Sequence, residues 1–303
     1  MTSYIDTQLG LRGRFSELIS LYFIHSRGAK TRVKKLLEEA RAIETTLQEV
    51  SGRPLPQKAA ILEIGAGHEL IQLTHFALRY KAVGIDQDVR PGREGITEYI
   101  RMWRRNGALR TVKTLARRGL GLDRQIDREL RKQLGVKRLP DFSMLAMDAS
   151  AMSFDDGQFD AVYSRAVFEH LPNPRGVLRE IRRVLKPGAA AFIWLHLYTS
   201  DNGCHDARIF AGNRKHIPYW AHLRPNHQHT VQPNAYLNRL LLAEWRELFA
   251  AEWPGSVVQG LCDSAPELRQ ALETIRAEGD LAAFTDEELL SITVQAVWAK
   301  PTQ

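Results

Sequence analysis

Two glycines and two carboxylates frame the most informative part of the chain. Ile61-Leu62-Glu63-Ile64-Gly65-Ala66-Gly67 passes from an apolar run into paired glycines, and Val83-Gly84-Ile85-Asp86 closes the next apolar run with an acid. Small residues let the backbone approach a ligand closely. A carboxylate about 20 residues beyond such a loop is placed to accept both hydroxyls of a ribose. Gly65-x-Gly67-x-x-Leu70 lacks the third glycine of the dinucleotide fingerprint, so a nicotinamide site is not singled out. A second concentration of chemistry lies in 196–234, with His196, His205, His216, His222, His227 and His229 beside Cys204 and Asp206. Cys204-His205-Asp206 and His227-x-His229 contain metal-ligand types, but their spacing matches no structural zinc pattern, and no metal is expected.

The elements that must position these residues follow from periodicity. Residues 14–50 read as helices with a break at Ser26–Gly28, and Ser51–Pro56 reads as a linker. Short apolar runs at 59–64 and 81–85 flank a helix-length segment, a β-α-β rhythm. Three apolar stripes at helical spacing fill 96–134. They comprise Ile96, Tyr99, Ile100 and Trp103; then Leu109, Val112, Leu115 and Ala116; then Leu122, Ile126, Leu130 and Leu134. Strands are predicted at 142–147, 159–164, 190–198, 256–261 and 291–299. Helices are predicted at 175–185, 237–249 and 264–290, with a turn at Lys186-Pro187-Gly188 and no clear period over 199–234. Strands alternating with helices give the fold class: α/β, with a doubly wound, mostly parallel sheet.

Composition narrows the partners. The 303 residues carry a formal charge of +7, with 44% hydrophobic and 25% charged residues, so a sizeable core is available and disorder is excluded as the main state. The charge is localised. Residues 90–140 hold fifteen Lys/Arg against five acids, a net +10, and the rest of the chain is near −3. Aromatics in that segment are confined to Tyr99 and Trp103 on an apolar stripe, so a nucleic-acid partner is not expected. An acidic acceptor or peripheral contact with an anionic membrane fits a basic helical face better. Two cysteines make no disulfide framework. The N-terminus shows no secretory pattern and no run is long enough to span a bilayer, so a cytoplasmic location is expected.

With these motifs in order, the sequence resembles the class I S-adenosylmethionine-dependent methyltransferases, specifically the type 11 small-molecule group. The resemblance runs from Ile61 to Ile193 with 90–140 as an insertion. It rests on LEIGAGHE (62–69), VGID (83–86), MDAS (147–150), FDAVYSRAVFEHLPNP (159–174) and LREIRRVLKPGAAAFI (178–193). It implies a seven-stranded Rossmann-like methyltransferase fold over 57–303, an N-terminal helical cap over 1–56, and a His-rich lid loop over 199–234. It implies S-adenosyl-L-methionine as cofactor. Glu63 would organise the first loop and the amino-acid part of that cofactor, and Gly65, Ala66 and Gly67 would pass beneath it. Asp86 would hold the ribose, Asp148 and the Ala149 backbone the adenine, and Ser164 and Arg165 would lie beside the sulfonium. Glu69 stands where the family has a glycine, an acid that must point away from the cofactor carboxylate. His170, six residues beyond Ser164 on the acceptor side, is the candidate general base. Tyr198, Tyr219, Trp220 and Arg224 either shape an acceptor pocket or anchor the lid by packing. The resemblance implies an enzyme methylating a small molecule, a hydroxyl of a sugar, lipid-linked or secondary-metabolite scaffold. An RNA or protein methyltransferase, or a non-catalytic cofactor binder, is the alternative.

Overall fold

A computed structural model of the chain describes residues 11–67, 69–87, 122–263 and 265–302, with side chains from residue 28 onward. The first two helical stripes of the basic segment, and most of its charge, lie outside the described residues. Seven strands form one sheet: β1 (Ala60–Ile64), β2 (Lys81–Asp86), β3 (Ser143–Ala146), β4 (Phe159–Arg165), β5 (Leu185–His196), β6 (Val257–Cys262) and β7 (Ser291–Ala299). Their order is β3-β2-β1-β4-β5-β7-β6. β1 pairs in parallel with β2 and β4, β2 with β3, and β4 with β5, whereas β7 runs antiparallel to β5 and β6. The sheet is therefore doubly wound and mostly parallel, and strand order reverses between β1 and β4.

Strand pleating sorts side chains into two cores. Leu62 and Ile64 of β1, Val162 of β4, and Ala191, Ile193 and Leu195 of β5 face one layer. That layer holds α4 (Pro174–Val184) and α5 (Leu242–Glu252). α4 buries Val177, Leu178, Ile181 and Val184, one face at helical spacing, and starts cleanly because Asn173 Oδ1 accepts from Gly176 N at 3.0 Å with Pro174 beside it. The alternate residues Ile61, Ala161, Tyr163, Ala190 and Phe192 face Ala40, Ile43 and Leu47 of α1 (Leu11–Ser51) and Leu73 and Phe76 of α2 (Ile71–Ala77). Full burial of each such side chain stabilises by roughly 1.5–3 kcal/mol.

Four local expectations change. α1 runs unbroken through Ser26–Gly28, because its later turns dock on the sheet and on α2 and α3 (Leu122–Leu134), and that packing holds the helix in register. Lys186-Pro187-Gly188 is an irregularity inside β5. The β4–β5 register jumps from Phe159↔Leu185 to Ala161↔Ala190, and Gly188, at φ +72°, absorbs the extra residues. The helix expected from 237 begins only at Leu242. Asn238 Nδ2 donates to Phe168 O at 2.7 Å and to Leu171 O at 3.2 Å, its backbone N–H donates to Glu169 O at 2.9 Å, and Arg239 is left-handed, so 236–241 forms an extended strap. The expected helix over 264–290 is two, α6 (Pro266–Ala277) and α7 (Asp286–Leu290), parted at left-handed Gly279.

In α3, Ile126 and Leu130 are buried against Val33, Leu36 and Leu37 of α1. The described end of the basic segment thus spends its apolar face on α1 and presents Arg124, Arg128 and Lys132 outward. Among the described residues no helix is long and apolar enough to cross a membrane.

Candidate cofactor and acceptor site

Ligands of doubly wound sheets bind beyond the carboxyl ends of the strands where the order reverses. Here that point is the β1–β4 junction, clamped by Ser164 Oγ, which donates to Ile64 O at 3.0 Å across 100 residues of sequence. Beyond it the chain turns through Gly65 (φ +73°) and Gly67 (φ +63°), and the Gly65 and Ala66 N–H groups both donate to Ile85 O. A Cβ at Gly65 would lie 2.2 Å from Val167 Cγ2, so only glycine fits. Gly67 N donates to Asp86 Oδ2 at 3.0 Å, tying the loop to the acid that ends β2. Met147 N donates to Asp86 O at 3.1 Å, and Asp148 Oδ1 accepts from both the N–H and hydroxyl of Ser150 at 2.8 Å, which shapes the third loop beside buried Ala149. The structure thus brings Gly65, Ala66, Gly67, Asp86, Asp148 and Ala149 to adjacent strand ends.

Glu63 points the other way across the pleat, toward α1 and α2, and is only 5% exposed. Its Oε2 is buried with no hydrogen-bond partner among the described residues. Burial, reinforced by the Asp86 charge, pushes its carboxyl up to about 8, against the opposing pull of the Tyr163 hydroxyl and Arg165. A buried, unsatisfied carboxyl costs stability unless a cationic or donor partner arrives. An ammonium is such a partner, so the residues present fit the amino-acid end of S-adenosylmethionine. Glu69 turns away, as that cofactor requires: it pairs with Arg32 of α1 at 2.6 Å.

Ser164 and Arg165 are positioned differently from each other. Ser164 is fully buried and its hydroxyl is used inside the sheet, so its side chain serves the β1–β4 clamp. Arg165 stacks over Trp194 with its guanidinium carbon 4.7 Å from the ring centre and pairs with Glu39 of α1 at 2.5 Å. α1 is therefore anchored to both the first loop and the end of β4.

On the acceptor side, a 3₁₀ turn (Phe168–His170) follows β4. His170 Nδ1 lies 2.7 Å from Tyr236 O, and because a carbonyl only accepts, Nδ1 carries the proton and Nε2 the lone pair. Burial lowers its pKa, so the ring is neutral and basic at Nε2. Three further groups surround it that the sequence did not single out as a unit. Glu169 is 3% exposed, neither of its carboxylate oxygens has a close hydrogen-bond partner among the described residues, and burial raises its carboxyl to about 8 against the weaker pull of the Glu169 and His196 backbone N–H groups. The His205 ring stands edge-on to His170 at 4.8 Å between centroids and to His196 at 5.3 Å. Burial lowers His196 to about 4 and depresses His205 as well. The adjacent Glu169-His170 pair and a histidine ending the most apolar strand were the available sequence signals.

The 199–234 segment is a packed element. Asp201 pairs with Arg214 and accepts from Trp220 N at 2.8 Å, Arg214 lies over Tyr219, and Arg224 pairs with Glu278 and Asp280. Trp220 is wholly buried and donates to Leu289 O at 3.3 Å, and Tyr198 packs edge-on against His222. Trp220 and Arg224 therefore anchor the segment by packing and ion pairing, one of the two roles expected of them. The Cys204-His205-Asp206 trio does not act together either. Asp206 is engaged by Arg208 and Gln232 N, and burial pushes the Cys204 thiol up to about 11.

Residues 106–193 match the family model described as "Methyltransferase domain". The chain is 30% identical over 139 residues to "Probable tocopherol O-methyltransferase, chloroplastic" of Oryza sativa subsp. japonica, a match covering 43% of this chain and 38% of that protein. It is 38% identical over 87 residues to a sterol 24-C-methyltransferase of Aspergillus fumigatus, covering 27% and 23%. The chain thus spans less than two-fifths of these relatives. It also superposes on Haemonchus contortus phosphoethanolamine N-methyltransferase 2, solved with S-adenosyl-L-methionine, at TM-score 0.46 and 16% identity, over 87% of this chain and 52% of that one. Residues 106–193 are thus similar to a methyltransferase domain, and the order of the sheet is compatible with that likeness.

Proposed function

We propose that the chain transfers a methyl group from S-adenosyl-L-methionine to a hydroxyl of a lipid-linked or secondary-metabolite acceptor. The observation that carries the cofactor reading is the unsatisfied, buried Glu63 carboxyl beside the Gly65–Gly67 loop and Asp86. Of the relatives named above, the tocopherol O-methyltransferase and the sterol 24-C-methyltransferase support a lipid-like acceptor, and the former supports transfer to oxygen. S-adenosylmethionine supplies an already activated methyl on its sulfonium. Glu63 would hold its ammonium, Asp86 its ribose hydroxyls, and Asp148 with the Ala149 backbone its adenine. His170 Nε2 takes the acceptor's proton, and the strap at 236–241 fixes that ring through the Tyr236 carbonyl. What remains for the chain is alignment and exclusion of water.

Thermal-shift titration with S-adenosylmethionine, S-adenosylhomocysteine and NAD tests the reading. Stabilisation by the first two is expected, and Asp86→Ala removes most of that shift. Stabilisation by NAD alone overturns it.

A further inference from the structure

Glu169, His170 and His205 place one ligand-type atom each within 4.8 Å of one another, from two segments separated by 34 residues. Three features set this trio apart from a packed cluster of polar side chains. The first is that two of its three members hold idle donors. Among the described residues, both Glu169 oxygens and His205 Nε2 are buried without a hydrogen-bond partner. Leaving several polar atoms unsatisfied in one place is costly, and a bound ion offsets that cost. The second is the support behind the donors. His170 gives its other ring N–H to a backbone carbonyl, the arrangement that fixes the tautomer of metal-bound histidines. The main chain of Glu169 is held by the Asn238 N–H, and that of His205, left-handed at φ 54°, is held by Asn202 O and Asn234 N. The third is a fourth nitrogen. His196 Nδ1, also buried and without a hydrogen-bond partner among the described residues, belongs to a ring 5.3 Å from that of His205.

We infer that Glu169, His170 and His205 form a binding site for a divalent first-row transition-metal ion, with His196 at its rim. Two imidazoles and one carboxylate suit Zn²⁺ or its neighbours, whereas Mg²⁺ and Ca²⁺ prefer all-oxygen shells. Around such an ion, donors at about 2.0–2.2 Å lie roughly 3–3.5 Å apart, so small ring and carboxylate rotations close the cluster. An ion here takes the same Nε2 lone pair that otherwise accepts a proton, and so converts His170 from base to ligand. Ion binding needs no methyl donor and is measured without one.

Chelator-stripped protein, with its fold verified by circular dichroism, is titrated calorimetrically with Zn²⁺ and separately with Mg²⁺. Co²⁺ loading is followed by visible absorption. Expected are one Zn²⁺ per chain, no heat from Mg²⁺, and ligand-field bands for Co²⁺ that Zn²⁺ abolishes. His205→Ala and Glu169→Gln each weaken Zn²⁺ at least tenfold, and His229→Ala, in the same loop but outside the cluster, leaves it unchanged. If a ligand variant fails to fold, the Co²⁺ spectrum of the native chain decides. Substoichiometric Zn²⁺ binding, absent Co²⁺ bands, or unaltered affinity in folded His205→Ala overturns the site.

Discussion

Glu63 gives the sharpest test of the cofactor reading, because its charge state in the empty protein is opposite to the one an ammonium wants. With its carboxyl at about 8, roughly one molecule in ten is ionised at pH 7. The donor's α-amino group titrates near about 7.8, so both partners carry a proton at pH 7, while their complex holds one between them. Binding therefore releases about 0.8 proton at pH 7 and takes up a similar amount at pH 9. Apparent affinity peaks near pH 8 and rises about twentyfold from pH 6 to 8, about 1.8 kcal/mol. Calorimetry in two buffers of different ionisation enthalpy reads the proton count directly. In Glu63→Gln the rising limb disappears and the falling limb, set by the donor's amine, remains. A flat profile between pH 6 and 8, or a rising limb retained in Glu63→Gln, refutes the pairing. The empty protein carries the same signature in its stability. Raised in the fold from 4.5, the Glu63 carboxyl holds its proton more tightly than in the unfolded chain. Its contribution is intact below pH 4.5 and is lost as pH climbs toward 8, about 3 kcal/mol by pH 7.

Two further outcomes follow from packing. Gly65→Ala forces a Cβ against Val167 at positive φ and should cost about 1–3 kcal/mol, seen as a lower Tm, with Val167→Ala in the same chain recovering the steric part. No recovery would remove Val167 as the reason for the glycine. Glu44 of α1 is buried with His75 at 3.0 Å, the Tyr80 hydroxyl at 2.6 Å and Arg79 around one carboxylate. Glu44→Ala strands those partners and should cost about 2–4 kcal/mol in urea unfolding, and an unchanged midpoint would mean that α1 is held by its apolar face alone.

The sheet was legible because its strands are continuous apolar runs ending in Gly or Asp, and β1, β2, β4 and β7 lie within about a residue of their expected ends. What periodicity could not supply was tertiary competition. Asn238 prefers two carbonyls of the turn after β4 to a helix, and the β4–β5 pairing draws Lys186–Gly188 into a strand. The glycine loop and its acids were readable for the same reason as the strands, since each closes one. The acceptor side was only half readable. His170 stood out, but Glu169 carried no signal of its own and His205 belonged to a loop without period. Only the fold shows that both are buried against the same ring.

The β1–β4 clamp also sets an order of assembly. Ser164 and Ile64 touch across 100 residues, and Arg165 meets Glu39 across 126. During synthesis the first strand, the glycine loop and the α1 anchors emerge together, yet the floor they stand on is missing until β4 has left the ribosome. Through that interval the nascent chain exposes one edge of β1 and the apolar face of α1, with the whole basic insertion already made. Contacts of such long range are slow to form and leave strand edges open meanwhile. The same reversal of strand order that creates the binding crevice keeps its two walls apart until 100 residues of intervening chain have been made.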